Sequence, residues 1–261
     1  MPRRIVLHPG FHKTGTTTLQ NTLRQNREAL KKHVGLRLRW HLKDLVAAAR
    51  GYSTWGDPLT LLKVQDRFYR MLDALPGMPR RVLVISCEEL LGHLPGRGDL
   101  RDYGSAATLL YAYWEILRER FPNAEVVIYL TTRAPAPWLA SAYFEHVKAS
   151  DMTMEFSTFR DTYQGAAALD AVVADIASRV PARVISAALE DCTTLPLGPA
   201  DPLLDHCDIP DDLRRTLIPA RPANQNPGAD VLQQLLAINR AETDPDRRQA
   251  AKKAVLAKAL S

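Results

Sequence analysis

The segment Gly10-Phe11-His12-Lys13-Thr14-Gly15-Thr16-Thr17 gathers the residue types that grip an anion into one short stretch. Glycine at both ends permits tight turning and close backbone approach, so unpaired N–H groups become the ligands. A helix starting after Gly15 would add its dipole and its free N–H groups to the pull on a phosphate. Lys13 supplies positive charge, and Thr16, Thr17 and Thr18 supply hydroxyl donors at the same helix end. A second anion site is suggested by Thr131-Thr132-Arg133 together with Ser141, eight positions beyond the arginine. Arginine's planar fork of donors suits a terminal phosphate, and a helix from Pro135 would carry Ser141 almost two turns in. For proton transfer the candidate is Glu88, with His12, His41 and Glu89 as competing bases.

The loop departs from that of a nucleoside triphosphatase or kinase. There a lysine follows the second glycine; here Thr16 stands in that place and the lysine comes earlier, at Lys13. A triphosphate also needs Mg²⁺, held with help from an aspartate on another strand. No aspartate ends either Val82–Ile85 or Val126–Leu130. A less charged phosphosulfate can be managed by one lysine, hydroxyls and backbone donors, without metal.

These groups need elements to bring them together. Ile5–Leu7 reads as a short strand closed by His8-Pro9-Gly10, and Leu19, Leu23 and Leu30 continue at helical spacing toward Gly35. A helix is expected from Leu59 to Leu75, ended by Pro76-Gly77, then a buried parallel strand at Val82–Ile85. The same alternation follows: helix Tyr103–Phe121, strand Val126–Leu130, helix Pro135–Val147, helix Leu169–Ser178 and a fourth short strand at Arg183–Ile185. Such alternation predicts an α/β fold with a central, mainly parallel sheet flanked by helices in three layers, of the P-loop type. Both anion sites then lie at the carboxyl ends of strands, where ligands collect in open α/β sheets. Beyond residue 195 repeated prolines predict a loop-rich stretch until a helix starts near Gly228. One domain over 1–243 is expected, with 244–261 as a peripheral, alanine- and lysine-rich helix.

His12-Lys13-Thr14-Gly15-Thr16-Thr17-Thr18-Leu19-Gln20 resembles the 5′-phosphosulfate loop of the sulfotransferase family, especially its bacterial and carbohydrate-modifying branches. Arg133 and Ser141 are similar to the family's 3′-phosphate motif, an arginine at a strand end and a serine eight residues later. The resemblance implies transfer of a sulfuryl group from 3′-phosphoadenosine 5′-phosphosulfate to a hydroxyl or amine, with the 3′,5′-bisphosphate as product. It implies that Lys13 meets the bridging oxygen, that Thr14, Gly15, Thr16 and Thr17 hold the 5′-phosphate, and that Ser141 can keep Lys13 off the bridging oxygen until acceptor binds. Ser86-Cys87-Glu88 resembles a strand-end serine and glutamate of bacterial members. The segment Arg221-Pro222-Ala223-Asn224 resembles an element that closes over the nucleotide, making Arg221 and Asn224 further contacts. A carbohydrate or another small hydroxylated metabolite is the acceptor expected by analogy. The segments 33–75 and 149–169 are expected to shape its pocket, with Trp40, Trp55, Phe68 and Tyr69 as candidate walls. A kinase-like phosphotransferase and a non-catalytic binder of nucleotide or sulfated ligand are the alternatives.

The bulk composition leaves this reading open and closes others. With 46% hydrophobic and 24% charged residues, the 261-residue chain has ordinary globular usage. No apolar run approaches the roughly 20 residues that span a bilayer, and the opening Met1-Pro2-Arg3-Arg4 leads into a strand rather than a signal peptide. The net charge of +5 is scattered in pairs such as Arg80-Arg81 and Arg247-Arg248, so no nucleic-acid stripe is visible. Cys87, Cys192 and Cys207 lack zinc-site spacing, which suggests a reduced, cytoplasmic setting.

Overall fold

The computed structural model describes residues 1–78, 81–221 and 228–260. Five strands, β1 (Arg4–His8), β2 (Val34–Leu38), β3 (Val82–Ser86), β4 (Glu125–Thr132) and β5 (Arg183–Ala188), form one all-parallel sheet in the order β2-β3-β1-β4-β5. The fold is α/β, with helices on both faces of that sheet. The chain leaves central β1 toward β2 and β3 on one side, then crosses to β4 and β5 on the other. Such a switch opens a crevice at the carboxyl ends of the strands flanking β1.

Side chains alternate across the sheet as the strand period requires. Ile5, Leu7, Leu83, Ile85, Ile128 and Leu130 enter one core, while Val6, Val82, Val84 and Tyr129 enter the other. The first core is the thicker. It is covered by α2 (Lys43–Trp55), α3 (Pro58–Asp73), α4 (Ala106–Arg120), α5 (Pro135–Ala149), α6 (Phe156–Tyr163), α7 (Leu169–Arg179) and α8 (Ala229–Ala241). The second is closed by α1 (Thr16–Gln25) and the proline-rich turns between Leu197 and Leu217. A last helix, α9 (Pro245–Leu260), lies against α8.

Local chemistry sets several of these boundaries. Asp57 caps α3 by accepting from the Thr60 N–H at 2.9 Å, with Pro58 in the first turn. Pro135 opens α5 in the same way. β2 is a strand that helical spacing ahead of Gly35 does not announce. Gly35 is its second residue, and a Cβ there would lie 2.9 Å from Met78 Sδ, so the methionine packs directly on the backbone. α2 is likewise absent from the sequence reading, as its buried face is built largely from Ala48, Ala49 and Ser53 beside Leu45 and Val46.

No helix among the described residues is long and apolar enough to cross a membrane. The helix expected at 244–261 is anchored through Lys252, whose side chain is buried and donates to the carbonyls of Val147, Lys148 and Ser150 at the end of α5.

Candidate functional site

β1 ends at His8 and α1 begins at Thr16, so the glycine-bounded segment forms the loop between them. Gly10 has φ 58° and Gly15 has φ 87°, the left-handed region that glycine enters without cost. A Cβ on Gly10 would lie 2.6 Å from Thr16 Oγ1, so the loop closes only with glycine there. Lys13 also takes a positive φ, 67°, which a side chain tolerates poorly. Among the described residues the backbone N–H groups of Lys13, Thr14, Gly15, Thr16 and Thr17 reach no acceptor. Five free donors at the start of a ten-residue helix make an anion nest.

The loop is tied down from beneath. Trp138 Nε1 donates to the His12 carbonyl at 2.9 Å, and Arg133 donates to the Lys13 carbonyl at 3.1 Å. The Thr14 hydroxyl is fully buried, donating to the Phe11 carbonyl at 2.7 Å and meeting Thr131 Oγ1 at 2.7 Å. Thr14 was expected to hold phosphate. Its hydroxyl instead fastens the loop to β4, and only its backbone N–H remains for an anion.

Lys13, Gly15, Thr16, Thr17, Arg133 and Ser141 border one cleft of about 900 Å³, as do His12, Glu88 and Arg221. The two anion cradles therefore share a wall. Asn224 lies outside the described residues. Glu88 follows β3, and its Oε2 accepts from Gln20 Nε2 of α1 at 3.1 Å. Burial raises its pKa above the ordinary carboxylate range, and the charge of neighbouring Glu89 adds to this. Glu89 is spent differently: buried, it accepts at Oε1 from Arg39 at 2.8 Å and from Arg50.

The remaining candidate bases are turned to other tasks. The His12 backbone N–H donates to Tyr103 Oη at 3.3 Å, and the same oxygen lies 3.2 Å from His12 Nδ1. Burial and then the positive charge of Arg50 push the His12 pKa down to about 3, which keeps the ring neutral. A ring held neutral to such low pH is a weaker proton acceptor than Glu88, whose pKa is raised. His41 Nδ1 accepts from the Leu38 N–H, away from the cleft.

Ser141 was expected to contact Lys13. The structure gives that lysine another partner one turn further along α5: Lys13 Nζ donates to Glu145 Oε2 at 3.0 Å, and Lys148 Nζ meets the same oxygen at 2.7 Å. Burial works against the Glu145 carboxylate, but Lys13 and Lys148 outweigh it and hold its pKa to about 2. Ser141, Glu145 and Lys148 share one face of α5 at helical spacing, the sequence signal that marks Glu145 and Lys148 as cleft residues. The aromatic candidates for the acceptor wall are elsewhere. Phe68 is in the core, Trp40 and Trp55 are exposed, and Tyr69 donates to Glu119. From the segment 33–75 it is Arg39 and Arg50 that reach the cleft, and nothing from 149–169 borders it.

No family model matches this chain, and no curated protein matches it either. The functional reading rests on the cleft itself. At its centre is an anion nest with a lysine; on the β4 side are Arg133 and Ser141, and on the β3 side Glu88 with its raised pKa.

Proposed function

We propose that this protein transfers a sulfuryl group from 3′-phosphoadenosine 5′-phosphosulfate to a hydroxyl or amine of a carbohydrate or small metabolite. The observation that carries the reading is the order of strand ends. β3, β1 and β4 are neighbours, and their following loops bring Glu88, Lys13 and Arg133 to one cleft. A donor with phosphates at two ends fits that order, its 5′-phosphosulfate on the nest and its 3′-phosphate toward Arg133 and Ser141. The acceptor then comes from the β3 side, in line with the bond to be broken.

In this reading the acceptor oxygen attacks sulfur, and the bond between sulfur and the bridging oxygen breaks. The electron pair leaves with the bisphosphate, whose new charge Lys13 and the nest offset. The acceptor proton passes to Glu88. Burial favours that transfer, since it makes Glu88 a stronger base than an exposed glutamate. Glu145 positions Lys13 and must yield it when the donor enters.

The test is calorimetric titration with adenosine 3′,5′-bisphosphate in the absence of metal, followed by an acceptor screen with labelled sulfuryl donor. Tight binding that Lys13→Ala and Arg133→Ala each weaken is the expected result. Absence of metal-free binding, with ATP and Mg²⁺ giving a phosphorylated acceptor, would replace sulfuryl transfer by phosphotransfer. Binding without turnover on any acceptor would leave a nucleotide-binding protein.

A further inference from the structure

The strand order divides the cleft. Toward β4 and β5 the wall is Arg133, Ser141 and the turns from Leu189 to Pro199; toward β3 and β2 it is Arg39, Arg50, Glu88, His93 and Arg97. A volume of about 900 Å³ sits near the top of the range of about 300–1,000 Å³ for small-molecule sites, which suits two ligands meeting at Lys13.

The β3 side carries more positive charge than its carboxylates balance. Glu89 faces two guanidiniums, Arg39 and Arg50, and neutralises one charge's worth. Arg50 Nε is buried and finds no acceptor among the described residues. Arg97 is half-buried, and its side chain makes no ion pair or hydrogen bond among the described residues. Glu88 accepts from Gln20 and forms no ion pair with Arg50 or Arg97 among the described residues. Arg50, His93 and Arg97 all border the cleft on this side, and burial followed by the charges of Arg50 and Arg97 depresses the His93 pKa, so the histidine adds no positive charge that would replace theirs. A buried guanidinium N–H without an acceptor is costly, and an oxyanion from a ligand would supply one to Arg50 while pairing with Arg97.

Resting on the sulfuryl-transfer reading, we infer that the acceptor is itself anionic. It carries a carboxylate or an ester phosphate or sulfate beside the hydroxyl to be modified, held by Arg97 and Arg50. Lys13 and Lys148 are occupied by Glu145 on the opposite wall, so they do not compete for that group. A neutral sugar would leave Arg97 without a counter-charge and Arg50 Nε without an acceptor.

Calorimetric titration with glucuronate, glucose 6-phosphate and methyl glucoside, each with and without adenosine 3′,5′-bisphosphate, tests this. The acidic sugars are expected to bind about tenfold or more tightly than the neutral one, the worth of one charge-assisted hydrogen bond. Glucuronate against glucose 6-phosphate tells a carboxylate from an ester. Arg97→Gln is expected to erase the preference while bisphosphate affinity stays unchanged, and Arg97→Lys to restore part of it, which separates loss of charge from misfolding. Equal binding of neutral and acidic sugars, indifference to Arg97→Gln, or no acidic-sugar binding by protein that still binds bisphosphate overturns the inference and leaves the nucleotide reading intact. Acidic-sugar binding through Arg97 without any bisphosphate binding does the reverse.

Discussion

Lys13 rests on Glu145, and any donor anion must win it from that carboxylate. The contact is charge-assisted and shielded, the lysine side chain being only 12% exposed, so it has a real cost to break. Glu145→Gln should therefore bind bisphosphate about tenfold more tightly, since a competing contact of about 1.5–3 kcal/mol is weakened. Acceptor-free hydrolysis of the donor should rise in the same variant and stay near wild type in Ser141→Ala; unchanged affinity in Glu145→Gln would remove the restraint. Glu88→Gln should lower kcat by about 10²–10⁴ with nucleotide affinity intact, as expected for loss of a general base. The acid limb of the wild-type pH profile should lie above the ordinary carboxylate range, because burial raises the Glu88 pKa, and Glu88→Asp should keep a limb that Glu88→Gln lacks. Lys13, Arg133 and Glu88 were legible in sequence because each lies in the loop that follows a strand, so local spacing fixes its neighbourhood. Arg50 and Arg97 were not, since they reach the cleft only through tertiary packing of α2 and of the loop after β3. The structural task of the Thr14 hydroxyl was not legible, because its partner, Thr131, is far away in sequence.

Elements with long apolar runs were readable, and those built from small residues were not. β1, β3 and β4 are flanked on both faces, so their sequences are continuous runs of Val, Ile and Leu. β2 is an edge strand with Gly35 and Arg37 in five residues, and it blends into the helical spacing before it. α9, whose alanine- and lysine-rich sequence reads as peripheral, is mostly exposed, but Lys252 is 3% exposed and satisfies carbonyls at the end of α5 that the helix itself leaves unpaired. Asn239 of α8 supports the same end, donating to the carbonyls of Val147 at 3.0 Å and Met152 at 2.7 Å. Lys252→Met should destabilise the protein by about 2 kcal/mol, as expected when charged hydrogen bonds are lost and buried carbonyls are left unsatisfied. Urea denaturation should show a lower midpoint with the slope unchanged. A midpoint equal to wild type would mean that α9 contributes nothing to holding α5, the helix that carries Ser141 and Glu145.

Across the whole molecule, the sheet that gathers the cleft also buries histidines that must stay neutral. His8, on β1, shares a hydrogen bond of 2.7 Å with Ser86 of β3, and burial pushes its pKa down to about 3. His146, on α5, donates from Nε2 to the Pro95 carbonyl at 2.7 Å, and burial pushes its pKa down to about 4. In the unfolded chain both titrate near pH 6.5, so below that pH the unfolded state binds more protons than the folded one. Stability from these groups is complete above about pH 6.5 and is lost as pH falls toward the folded values, at about 1.4 kcal/mol per pH unit for each histidine. Glu145 adds stability that is lost only lower, between the ordinary carboxylate range and about pH 2. Glu88 acts the other way, since its raised pKa favours the folded state as it takes up a proton. Between pH 6.5 and 4.5 His8 and His146, together with His12, whose pKa is likewise held at about 3, therefore dominate the slope, and Tm should fall steadily across that window. His146→Gln, whose amide N–H can still reach the Pro95 carbonyl, should flatten the fall without lowering Tm much at pH 7.5. A Tm that holds level from pH 7 to pH 5 in the wild type would mean that these histidines accept protons in place, and the sheet's carboxyl end would then be wetter than its packing indicates.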